Sequence, residues 1–180
     1  MDVKPDAHRA VSWGSVPVAA TVMTAIMALQ MLLIAITNWT DFGTNQTFVH
    51  HVLEMDTTFR DKDVMWRRID SDAIQDIAYV AIILWESVTA LVLGWAVVRF
   101  AGSLRTSGGY DSARRTATIG FLMVILLFWG GFIVVGGEYF EMWQSKKANG
   151  LEPALQNTLL AGLALIVTHL PSPDWHATSD

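Results

Sequence analysis

Four long apolar runs, separated by segments that gather nearly all the charge, dominate the chain. Residues 16–39, 116–137 and 153–170 carry no Asp, Glu, Lys or Arg; residues 77–98 carry one, Glu86. About 20 apolar residues in a helix cross the roughly 30 Å of hydrocarbon in a bilayer. The pattern therefore predicts an all-α fold, a four-helix transmembrane bundle forming one integral membrane domain over residues 1–180. Tryptophans mark the borders: Trp13 and Trp39 bracket the first run, and Trp95, Trp143 and Trp175 lie near the ends of the others. Tryptophan favours the headgroup level. Trp85 and Trp129 fall deep inside their runs and read as packing residues.

The connection 40–76 is long for a bundle, where loops take about 2–8 residues. It contains Phe42, Phe48, Phe59 and Trp66, which a flexible linker would not. Phe48, Val49, Val52, Leu53 and Met55 recur at helical spacing, predicting a short amphipathic helix on the membrane or on the bundle. Asp56-Thr57-Thr58 reads as a turn. Asp63 suits the N-cap of a second short helix through Met65, Trp66 and Ile69. Asp72 suits the cap of the helix that becomes the second span. Gly108-Gly109 marks a turn between the second and third spans.

Four spans place both ends of the chain on one side. The short connection after the second span holds Arg99, Arg105, Arg114 and Arg115 against Asp111, with Lys4 and Arg9 on the same side. The opposite side holds Arg60, Lys62, Arg67, Arg68, Lys146 and Lys147, so the basic counts tie. Basic residues that directly flank spans weigh most. The short connection and the termini are therefore expected in the cytoplasm. Residues 40–76 then form an extracytoplasmic connection of a multi-pass inner-membrane protein. Lys4 and Arg9 before an apolar run resemble a signal peptide, but that run is too long, and it reads as a retained span.

Composition narrows the function classes. The chain is 52% hydrophobic and only 16% charged over 180 residues, against about 25% charged in soluble domains. It has no cysteine, which excludes disulfides, thiolate metal sites and cysteine nucleophiles. A net charge of −5 without a basic run argues against a nucleic-acid partner. No catalytic triad, phosphate loop or dinucleotide fingerprint is present. Haem needs histidines facing across spans, and only His169 lies in one.

Glu86 is the most informative single residue. A charge at mid-span costs about 2.5–3.5 kcal/mol on insertion scales, so it is expected to face the bundle interior, paired or protonated. Ala78, Ala90 and Gly94 share its face and suit close helix contact. It reads either as a proton-relay, ligand or cation site, or as a protonated carboxyl that fixes the assembly. Outside the spans, His50, His51, Glu54 and Asp56 are the cluster with metal-ligand chemistry. His50 and Glu54, four apart, share a helix face. The solvated reading of that cluster is preferred, and neither metal nor cofactor is predicted. Gly130-Gly131 and Gly136-Gly137 precede Glu138; Glu138, Glu141, Trp143 and Gln144 are expected to emerge beside the long connection.

The run from Phe48 to Phe59, Phe-Val-His-His-Val-Leu-Glu-Met-Asp-Thr-Thr-Phe, followed by Met65-Trp66-Arg67, resembles a family of bacterial predicted small integral membrane proteins. Trp85-Glu86 and the run Gly-Gly-Glu-Tyr-Phe-Glu-Met-Trp-Gln-Ser from Gly136 to Ser145 resemble it too. The resemblance covers roughly residues 16–170. It implies four membrane helices, and it implies no activity, because the family is a domain of unknown function. His51, rather than His50, matches its histidine. The candidate functional residues are Glu86, Glu138, His51, Asp56, Trp66 and Arg67. The leading expectation is a non-catalytic accessory or structural subunit of a larger membrane complex, or a homo-oligomer. The alternative is a ligand-, ion- or quinone-binding or transport-related protein that uses Glu86 and the outer cap. An enzyme acting on lipid or quinone ranks last.

Overall fold

A computed structural model describes residues 13–106 and 108–176. Lys4 and Arg9 lie outside the described residues. Most of the described residues are helical, and none of them is in a strand. Helix α1 spans Val16–Thr40, α2 Phe42–Glu54, α3 Asp72–Thr106, α4 Tyr110–Tyr139 and α5 Leu151–His169. All but α2 are long and apolar enough to cross a bilayer. The first span and the last thus match the expected limits within about two residues. The second and third extend well past them. At 35 residues, α3 is about 52 Å long, which carries it beyond the hydrocarbon.

The outward sides of the spans carry large apolar side chains, whereas the sides facing other helices carry many small ones and also the buried polar groups Thr24, Asn38, Glu86, Thr89, Asn157 and Thr168. Leu29, Leu33, Leu84, Leu91, Leu126, Leu159 and Leu163 point outward and stay about half exposed or more. Inward positions are smaller: Ala20, Ala35, Ala96, Ala113, Ala117, Ala161 and Ala164 are buried. Lipid tails are as apolar as leucine, so helix association in a membrane rests on close packing, which small residues permit. Gly120 on α4 is the tightest case, because a Cβ there would overlap the Leu93 side chain of α3. Gly94, expected to pack closely, instead faces open space.

Pro17 in the first turn of α1 suits a helix start, where a backbone N–H is unsatisfied anyway. Only Asp41 separates α1 from α2; its N–H still donates to Thr37 O at 2.8 Å. The amphipathic helix expected around residues 48–55 is α2, which ends at Met55 in the left-handed region with φ 54°. The second short helix expected from Asp63 is instead a single 3₁₀ turn, Met65–Arg67. Asp61, not Asp63, organises it: its carbonyl accepts the N–H groups of Val64 and Met65 at 3.1 Å. The chain is then drawn back, with Ile69 N–H donating to Leu53 O at 2.9 Å. Asp72, expected as its cap, is instead the first residue inside α3, and the preceding Ser71 carbonyl accepts the N–H groups of Ile74 and Gln75.

The fourth element holds the largest departure from expectation. From Leu126 to Tyr139 the helix has π geometry, closed by Phe140 N–H donating to Val135 O at 3.0 Å. Such helices are rare and occur mostly as single turns, often at functional sites. Gly130, Gly131, Gly136 and Gly137 all fall within it. Trp175, expected as a headgroup tryptophan, folds back and is buried against Phe100 and Tyr110, with the Arg114 guanidinium 4.7 Å from its ring centre.

Candidate functional site

Glu86 lies in the interior of α3 and is 2% exposed. Its Oε2 accepts a hydrogen bond from Asn38 Nδ2 in the last turn of α1 at 2.7 Å. Asn38 is itself held from two sides. Its Oδ1 accepts from Asn45 Nδ2 of α2 at 2.7 Å, and its backbone carbonyl accepts from the Tyr79 hydroxyl of α3 at 3.3 Å. A ladder of amides thus runs from the short helix down to the carboxyl. None of the ion pairs among the described residues involves Glu86. The carboxyl therefore meets a neutral donor and no cation.

This ladder borders a cavity of about 490 Å³. Thr37, Asn38, Asn45, Tyr79, Glu86, Asn149 and Asn157 supply its polar side chains; Leu33, Phe48, Ile82, Phe128 and Phe132 supply much of its apolar wall. Asn157, on α5, accepts from Gln30 Nε2 of α1 at 2.7 Å and donates to Pro153 O at 2.8 Å. A second cavity of about 240 Å³ shares Phe48, Val49, Ile82 and Phe132 with the first and is closed by the π-helical residues Gly131, Val135 and Gly136. Its lining side chains are apolar throughout. Helix α2 roofs both, because Phe48 and Val49 line each of them. Chemically this is a largely apolar chamber with one acid and several amides set into its lining, the pattern by which pockets orient a mostly apolar ligand.

The other expected site residues fall into separate groups. His51 Nδ1 pairs with Asp56 Oδ2 at 2.9 Å near the end of α2. Trp66 and Arg67 sit on the 3₁₀ turn, where the Arg67 guanidinium lies 5.6 Å from the Trp66 ring centre and 5.4 Å from that of Tyr139. Its Nη1 donates to Tyr139 O and Glu141 Oε1, both at 3.3 Å. Phe59 N–H donates to Gln144 Oε1 at 2.8 Å, and the Thr57 and Ser145 hydroxyls meet at 2.8 Å. The long connection is thereby docked on the turn that follows α4, as the expected shared surface requires. Glu138 is exposed and lines neither cavity, so it is not brought together with Glu86.

Residues 16–171 match the family described as "Predicted small integral membrane protein (DUF2165)". The chain belongs to this family. No curated protein and no solved structure matches it. For this DUF2165 member the match spans every membrane helix and both halves of the docked cap, so the family pattern and the chamber cover the same residues. Sequence reading found the acid but missed its partners. Asn38, Asn45, Gln30 and Asn157 are uncharged and scattered over three helices. The signal available was that Gln30, Asn38 and Asn157 are amides within apolar runs, where an unsatisfied polar group is costly; Asn45, in the connection, carried no such signal.

Proposed function

We propose that this multi-pass membrane protein binds a lipophilic ligand that carries a protonated amine or comparable hydrogen-bond donor. The observation that carries the reading is the Glu86 carboxyl, buried inside the bundle beside the last turn of α1 and bordering a largely apolar cavity of about 490 Å³ with only neutral donors beside it. A carboxyl in that setting discriminates by charge: it accepts a hydrogen bond from a donor or pairs with a cation, and it repels an anion. The aromatic and aliphatic walls contribute affinity in proportion to the apolar surface they cover.

The test uses purified protein in detergent or nanodiscs and three probes of equal chain length: dodecylamine, dodecanol and dodecanoate. Dodecylamine is expected to bind tightest and dodecanoate weakest, and Glu86→Gln is expected to lose at least tenfold for the amine. Equal binding of all three, or amine affinity unchanged in Glu86→Gln, refutes the reading.

A second reading, an accessory or structural subunit of a larger membrane complex, draws on the cap. Phe59 and Trp66 are 73% and 72% exposed there, on the docked connection rather than on a spanning helix. Large exposed aromatics are favoured at protein interfaces. Native mass spectrometry after gentle solubilisation from source membranes tests it; recovery as a monomer alone counts against it.

With either reading we place the chain as one domain in the inner membrane, termini in the cytoplasm. Arg99 and Arg105 lie towards the end of α3 and Arg114 and Arg115 near the start of α4, at the end of the bundle where α1 begins and α5 finishes. Reporter fusions to the α3–α4 turn and to residues 56–71 test this, and an active periplasmic reporter at the turn refutes it.

A further inference from the structure

The cap carries a second constellation that the chamber does not use. His50 and Glu54 lie on one face at the end of α2, and Asp72 opens α3; one ligand atom from each lies within 4.8 Å of the others. Asp76 Oδ1 engages His50 Nε2 at 2.8 Å and also accepts from Gln46 Nε2 at 2.7 Å. A carboxylate on one ring nitrogen fixes the orientation of the imidazole and leaves Nδ1 for another partner. Metal-ligating histidines are held in this way. None of the ion pairs among the described residues neutralises Glu54 or Asp72.

Gln75 is an independent observation at the same place. It is fully buried, and its Nε2 donates to Glu54 Oε1 at 3.2 Å and to Ile69 O at 2.7 Å. Its Oε1 is buried and has no donor. A carbonyl oxygen shut away from water, on an amide bonded to Glu54, lacks the donor that buried acceptors ordinarily have.

We propose that His50, Glu54 and Asp72 bind a first-row divalent transition-metal ion, Zn²⁺ or Mn²⁺, with Asp76 as the residue that positions His50. An imidazole with two carboxylates favours these ions over Mg²⁺, which prefers oxygen ligands and keeps its waters. The ion ties the end of α2 to the start of α3, and so holds in place the helix whose Phe48 and Val49 roof the chamber. His51 is not part of this site, because Asp56 occupies it.

The full chain, purified in detergent and stripped with chelator, is titrated calorimetrically with Zn²⁺, Mn²⁺ and Mg²⁺. Saturable Zn²⁺ or Mn²⁺ binding at one ion per chain is expected, with Mg²⁺ at least tenfold weaker. Glu54→Gln and Asp72→Asn are each expected to weaken the preferred ion at least tenfold. Asp76→Asn is expected to weaken it about 10–100-fold, whereas His51→Ala leaves it unchanged. Asp72 is exposed, so Asp72→Asn keeps the fold and carries the test even where His50→Ala does not fold. The preferred ion is also expected to raise the melting temperature of wild type and not of Asp72→Asn. No saturable binding by either transition metal, equal Mg²⁺ binding, full retention in Asp72→Asn, or equal loss in His51→Ala overturns the proposal.

Discussion

The Asn38 amide of α1 meets the Glu86 carboxyl of α3 at 2.7 Å, so the buried acid in the interior of α3 is partnered by a neutral side chain from the neighbouring helix. Antiparallel packing sets this up: the last turn of α1 passes the interior of α3, and both residues are buried where the two helices meet. Interhelical hydrogen bonds in membranes average only about 0.6 kcal/mol and reach about 1.7 kcal/mol. The bond therefore orients the carboxyl more than it stabilises the bundle.

Asn38→Ala is accordingly expected to lower unfolding stability by about 0.6–1.7 kcal/mol. Asn38 also receives Asn45 and Tyr79, so the upper end of that range is expected. A double-mutant cycle with Glu86→Gln, read by thermal or denaturant unfolding in detergent, isolates the pair. A coupling of zero would show that the contact is not made in the membrane.

Gly120 fixes the distance between α3 and α4. A Cβ there would overlap the Leu93 side chain, which is fully buried. Overpacking a tight core costs about 1–3 kcal/mol. Gly120→Ala is expected to fall in that range, and Gly120→Ala with Leu93→Ala to recover part of it. The same measurement on Gly94→Ala, whose Cβ meets nothing, is expected to show no loss. Replacing glycine by alanine inside a helix even favours it by roughly 0.5–1 kcal/mol.

Arg67, stacked beside its neighbour Trp66, joins the long connection to the end of α4 and the turn after it through the Tyr139 ring face and two acceptors. Lysine keeps the charge but not the planar fork or the stacking. Arg67→Lys is therefore expected to loosen the cap nearly as much as Arg67→Ala does. Faster amide exchange in residues 56–71, with unchanged protection in the spans, is the expected readout; Arg67→Lys indistinguishable from wild type would assign the docking to charge alone.

The spans and the placement of Glu86 were legible because they rest on strong terms: runs without charge, and the cost of a carboxyl in hydrocarbon. The chamber was not, because its parts carry no local signal. Asn45 and Asn157 matter only once α2 and α5 are packed beside α1. The paired glycines at 130–131 and 136–137 announced a special backbone, but their sequence does not distinguish close packing from π geometry. Of these four, Gly137 meets another helix most closely, with a Cβ there 2.9 Å from Leu151 Cδ2. The turn at Met65 was misjudged as a longer helix because Asp63 has cap chemistry, whereas the backbone is set by Asp61 and by the return of Ile69 to Leu53.

Met55 sets two effects against each other. It ends α2 in the left-handed region, φ 54°, where a side chain costs roughly 1–2 kcal/mol and glycine costs little. Its side chain is also fully buried beneath the cap, and truncating a buried methionine costs about 2–5 kcal/mol. The packing loss is the larger, so Met55→Gly is expected to destabilise by about 1–3 kcal/mol net despite the easier backbone. Met55→Ala keeps the strain and loses most of the packing, so it is expected to be worse than Met55→Gly. Denaturant unfolding of the two variants decides the order. Alanine better tolerated than glycine would mean that the left-handed turn is not formed.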